Sequence, residues 1–83
     1  MTESIKDFAR GLSFKLRAMR EYLGFNISEA AEALGASNGT ITGYENAREN
    51  PSLLYVNKLC TMCGLKLEDL FLERNDFIKK LYF

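Results

Sequence analysis

Apolar residues recur every three or four positions along most of the chain, and Gly, Ser, Asn and Pro interrupt them at intervals. That period predicts helices, and the interruptions predict their ends. Ser4 is placed to cap a first helix, with Ile5, Phe8, Ala9, Leu12, Leu16, Met19 and Leu23 along one stripe and Gly24 closing it. Gly11 weakens that run by up to about 1 kcal/mol relative to Ala, which leaves a kink or break there open. Asn26 then caps a second helix, with Glu29 in the capping-box position and Ala30, Ala31 and Leu34 as its apolar stripe. Gly35 stops it, Ser37 caps a third helix two residues later, and Ile41 and Tyr44 fall on the inner face of that helix. Asn50-Pro51-Ser52 starts a fourth helix over residues 52–63, with Leu53, Val56, Leu59, Cys60 and Cys63 inward and Gly64 at its end. Leu65, Leu67, Leu70 and Phe71 lead into a fifth, whose cap position is occupied by Lys66.

Two short helices, a tight glycine-containing turn and small alanines at the crossing, all within residues 26–51, make a helix-turn-helix pattern over 27–46. The expected fold class is all-α, a five-helix bundle over residues 1–71 followed by an apolar extension at 72–83. The extension has two readings. It continues the fifth helix, or Asn75-Asp76 breaks the chain and 77–83 forms a sixth helix or an edge strand. Its apolar side chains Phe77, Ile78, Leu81 and Tyr82 either fold back onto the chain's own core or form a homodimer contact.

Composition changes this picture in one respect. Eighty-three residues, 47% hydrophobic and 27% charged, suit one small globular domain. No apolar run approaches the roughly 18 residues of a membrane span and no signal peptide opens the chain, so the expected compartment is the cytoplasm. Eleven basic residues balance eleven acidic ones, whereas a nucleic-acid binder usually shows a basic footprint. Residues 26–52 hold Arg48 against Glu29, Glu32, Glu45 and Glu49. Cations for phosphate therefore have to come largely from elsewhere, and Lys15, Arg17 and Arg20 of the first helix form either a solvated face or part of that supply.

From Leu16 to Leu70 the chain resembles the Xre/Cro repressor family, a lambda-repressor-like fold. The resemblance rests on Leu16-Arg17, Ala31, Leu34-Gly35, Ser37, Ile41, Tyr44-Glu45, Asn50-Pro51-Ser52, Leu59, Gly64-Leu65 and Glu68-Asp69-Leu70. It implies that the third helix, residues 38–46, enters the major groove of double-stranded DNA. It places Asn38, Gly39, Thr40, Thr42 and Gly43 toward bases and Asn46 and Arg48 toward phosphate. It also implies a pairing of Glu45 with an arginine of the first helix, for which Arg17 is the natural candidate. Backbone amides at Ile27-Ser28 and Ser37-Asn38 add phosphate contacts that need no charged side chain. This chain departs from the family pattern at Ile27, where Gln is usual, at Gly39 and Gly43, where longer polar or basic residues are usual, and at Ala47, where Gly is expected.

Other chemistry has little to stand on. Cys60 and Cys63 are two thiols on one inward helical face, with no His and no further Cys to complete a zinc site, and read as small core residues rather than as a redox or metal motif. No metal or other cofactor and no enzymatic activity is expected, because His, a phosphate loop and a nucleophile elbow are all missing from the sequence. The expected function is sequence-specific transcriptional regulation by a dimeric repressor. The alternative is a protein-interaction or antitoxin-like module on the same fold, with a protein partner and weakened DNA binding.

Overall fold

The computed structural model describes residues 5–83, without the side chain of Lys6. Among these residues the chain forms α1 (Ile5–Tyr22), α2 (Ile27–Leu34), α3 (Asn38–Glu45), α4 (Leu53–Cys63), a 3-10 turn (Leu67–Phe71) and α5 (Arg74–Tyr82), with no strand. The all-α reading holds, and the expected cap at Ser4 lies outside the described residues. Gly11 does not break α1, which runs unbroken through 18 residues.

Helix α1 is the spine, packing against α3, α4 and α5, while α2 crosses α3 and touches α4. Leu16, Met19, Ala30, Ile41, Leu59, Cys60 and Phe77 are the best-buried side chains of the core. Ala30 and Ala31 are both buried at the α2 crossing, where small side chains let the backbones approach. The apolar stripe of α1 is not uniformly inward. Ile5 is 89% exposed and Phe8 lies at the surface, and on α4 Leu53, expected inward, is 72% exposed. Tyr55 takes the inward place instead, edge-on to Tyr44 with ring centroids 5.0 Å apart.

The fifth expected helix is only a single 3-10 turn, and the tail is neither its continuation nor a strand. The chain breaks at Leu72-Glu73, earlier than Asn75-Asp76, because Leu72 and Glu73 are extended (ψ 152° and 159°). Asn75 and Asp76 then lie in the first turn of α5, and the acid at its start and Lys79 and Lys80 at its end suit the helix dipole. Phe77 is fully buried and Leu81 is 4% exposed. Both therefore belong to the chain's own core, which corrects their reading as dimer contacts. Ile78 packs half-buried at the core's edge, and Tyr82 stays half-exposed, edge-on to Tyr22 at 5.1 Å.

Lys15 holds this C-terminal segment to α1. It is not on a solvated face: it is 7% exposed, and its ammonium donates to the carbonyls of Leu70 at 2.7 Å and Leu72 at 2.5 Å. It also stands 5.7 Å from the centroid of the Phe77 ring. The last carbonyls of a helical turn have no partner within the turn, and here a lysine from α1 supplies one. Lys15→Met is expected to lower the urea-unfolding free energy by about 2–3 kcal/mol, since two carbonyls lose a charged donor. A loss below about 0.5 kcal/mol, the range of an ordinary surface change, would contradict this role.

Candidate nucleic-acid interface

The α2–turn–α3 unit is built by local capping. Asn26 Oδ1 accepts from the Glu29 amide at 2.8 Å while Glu29 Oε1 accepts from the Asn26 amide at 2.9 Å, a reciprocal capping box. Gly35 turns the chain at φ +69°, a conformation open to glycine, and Ser37 Oγ then accepts from the Thr40 amide at 3.1 Å to start α3. Ile41 is fully buried and fixes which side of α3 faces inward.

The orientation of α3 is then locked from α1. Arg20 Nε and Nη2 donate to the two carboxylate oxygens of Glu45 at 2.8 and 2.9 Å, and Arg20 Nη1 donates to the Phe25 carbonyl at 2.8 Å. The side chains are 10% and 7% exposed. The bond to Glu45 raises the pKa of Arg20 above its ordinary value. This corrects the assignment of Arg17, which is exposed and makes only a 3.6 Å pair with Glu21. Arg20 lies one turn beyond the buried Leu16 and beside the buried Met19, so it shares their inward face; Arg17 does not. Ser13 Oγ adds a bond to the Tyr44 carbonyl at 2.6 Å. Beneath the pair Tyr55 is 3% exposed, and its phenol is pushed up to about 12, first by burial and then by Glu45.

The residues expected to meet DNA do share one region, but few present free side chains. Asn38 and Gly39 are exposed. Asn38 Nδ2 donates to Ser28 Oγ at 3.1 Å, which brings the N-termini of α2 and α3 together. The Thr40 hydroxyl pairs with Ser37 at 2.8 Å, and the Thr42 hydroxyl donates to the Asn38 carbonyl at 2.9 Å. Asn46 Nδ2 donates to the Thr42 carbonyl at 2.9 Å and closes α3. Ile27 is half-buried against the core, so only its backbone faces the helix start. Arg48 is exposed. Gly43 is buried: the Glu49 carboxylate lies over it, so it offers no open surface to a base, contrary to expectation. Sequence reasoning missed Glu49, whose placement depends on how the following loop folds.

Cys60 is buried and Cys63 half-buried, with Cys63 Sγ donating to the Met19 carbonyl at 3.7 Å. Burial pushes both thiols up to about 11, so at neutral pH they stay protonated and poorly reactive. Among the described residues no group of three or more His, Cys, Asp or Glu side chains is placed to hold a metal ion.

Two stability outcomes follow from this frame. Glu45→Ala leaves the buried Arg20 without its carboxylate and is expected to cost about 3–5 kcal/mol in urea unfolding, while Arg17→Ala stays within about 0.5 kcal/mol. Equal losses would return the role to Arg17. Ala47 sits at φ +58°, where an L side chain is strained, so Ala47→Gly is expected to stabilise by about 0.5–1 kcal/mol. A drop in melting temperature for that variant would show the strain to be absent.

Residues 12–71 match the family described as "Helix-turn-helix domain", the match ending at the last residue of the 3-10 turn. The chain is 32% identical over 62 residues to a protein of Methanocaldococcus jannaschii named "Uncharacterized HTH-type transcriptional regulator MJ0272", covering 75% of this chain and 94% of that one. It is 30% identical over 57 residues to "Uncharacterized HTH-type transcriptional regulator YgzD" of Bacillus subtilis, covering 69% of this chain and 86% of that one. No solved structure matches. Capped α2 and α3, the tight turn between them and this match together place the chain in the helix-turn-helix domain family.

Proposed function

We propose that the protein is a sequence-specific DNA-binding transcriptional regulator that inserts α3 into the major groove and acts in the cytoplasm as a dimeric repressor. The observation that carries this is the seating of α3. A buried bidentate ion pair fixes its rotation, while the start of the helix at Asn38 and Gly39 is left exposed beside the start of α2. Asn38 is the side chain best placed to read a base, since Asn pairs bidentately with adenine. Thr40 and Thr42 offer hydroxyls and methyl groups once their present bonds exchange. Phosphates are met by first-turn amides of α2 and α3 at Ile27-Ser28 and Ser37-Asn38, by Asn46 and by Arg48. A dimer would set two α3 helices about 34 Å apart on a roughly palindromic site. With Phe77 and Leu81 in the core, the half-buried Ile78 and the exposed Tyr82 of α5, with Tyr22 of α1 edge-on to Tyr82, remain for such a contact.

A second reading has its own support. Ile5, Phe8, Leu53, Leu67 and Phe71 line an apolar groove of about 470 Å³. A surface of this kind suits a protein partner, as an antitoxin-like or docking module would need.

Fluorescence anisotropy with a random-sequence duplex, at low and at physiological salt, separates the two. Micromolar binding that weakens steeply with salt is expected. Arg48→Ala is expected to weaken binding to every sequence and to lower the salt slope by about 1, and Asn38→Ala to relax base preference. An absence of binding even at low salt would overturn the DNA reading in favour of the protein-partner one.

A further inference from the structure

The outward side of α3 carries a carboxylate that does not belong to α3. Gly43 follows the inward Ile41 by two residues, about 200° around the helix, and lies one turn beyond the exposed Gly39. It is therefore on the side turned away from the core, and the Glu49 side chain folds over it. A Cβ built on Gly43 would stand 2.6 Å from Glu49 Oε2, 3.0 Å from its Cδ and 3.2 Å from its Cγ. The end of the glutamate occupies the space that a side chain at position 43 would fill.

The loop is shaped to hold it there. Asn46 ends the helix, Ala47 turns in the left-handed region at φ +58°, and the amides of Arg48 and Glu49 both donate to the Gly43 carbonyl, at 2.9 and 3.2 Å. The chain is thus wound around the Gly43 carbonyl, and the Glu49 side chain has a short path back across the helix. Among the described residues no cation lies within ion-pair distance of Glu49.

We propose that Glu49 is a specificity-determining residue of the DNA-reading face, presenting its carboxylate in place of the missing side chain at position 43 to the amino group of a cytosine. This rests on the DNA-binding reading above. A carboxylate is an acceptor only, so at a base edge it requires a donor, and cytosine N4 is the amino group with which Glu pairs in the major groove. Against a phosphate the same charge is repulsive, so Glu49 also weakens binding to sequences that do not offer the donor. Gly43 is the necessary counterpart, because any larger residue displaces the carboxylate.

The test is enrichment of duplexes from a random library by the full chain and by Glu49→Gln, Glu49→Ala and Gly43→Ala, with melting temperatures to confirm that each folds. The unaltered protein is expected to enrich cytosine at one position of each half-site, at least about fivefold over other bases. Glu49→Gln is expected to exchange that preference for adenine, and Glu49→Ala and Gly43→Ala to lose it, with the rest of the motif unchanged. Removing the charge is also expected to tighten binding to random duplex severalfold at low salt. Identical motifs for the unaltered protein and Glu49→Gln would overturn the role of Glu49 and leave the DNA reading standing. Failure of all four proteins to retain any duplex would overturn both.

Discussion

Arg20 and Glu45 join the spine of the molecule to its candidate reading helix, and most of the architecture follows from where that pair sits. Taking two charges out of water is expensive, and their attraction repays the cost only with good geometry and with the remaining donors satisfied. Here the guanidinium meets both carboxylate oxygens and spends a further donor on the Phe25 carbonyl. The same side chain therefore fixes three things: the distance from α1 to α3, the rotation of α3 about its own axis, and the turn that leads into α2. An apolar pair of similar volume could supply comparable burial, but it would slide. A bidentate contact has one register, and the outward placement of Asn38, Gly39 and Gly43 depends on that register.

Lys15 repeats the device in the other half of the molecule. It too is a cation on α1 that turns inward and finds oxygens remote in sequence, at Leu70 and Leu72. One helix thus uses two of its basic residues to tie down α3 on one side and the C-terminal segment on the other. This bears on the chain's charge balance. Cations that could have served a phosphate-gripping surface are committed to structure, and the neutral total understates how little positive charge is free to face DNA.

What could be read from the sequence was local. The capping box at Asn26 and Glu29, the stop at Gly35 and the caps at Ser37 and Ser52 act within a few residues of themselves, so the helix boundaries around α2, α3 and α4 were legible. What could not be read depended on distant partners. Arg17 and Arg20 are three residues apart and chemically identical, and only the packing of α1 decides which one meets Glu45. Leu53 and Tyr55 compete for the inward place on α4, and the tyrosine takes it because Tyr44 is opposite. The tail looked continuous because apolar spacing survives across Leu72-Glu73, although the backbone is extended there. The site was legible as a region and not as a set of free groups, since hydroxyl and amide bonds within α3 leave no periodic trace.

The face that results is unusual for a reader of DNA in its poverty of long side chains. Two glycines in α3 each cost up to about 1 kcal/mol of helix propensity relative to alanine. The frame around them, a buried ion pair, a serine cap and an asparagine closing the helix, is what allows the helix to persist. With little side chain to reach outward, α3 can bring its backbone close to a partner, and close approach makes amide donors and shape more important than cations. Where Gly43 leaves a gap, Glu49 fills it from the loop. On the reading proposed above, a carboxylate there opposes phosphate everywhere and rewards a donor in one place. On that reading the scarcity of free cations and the seat for Glu49 act together, trading general affinity for discrimination.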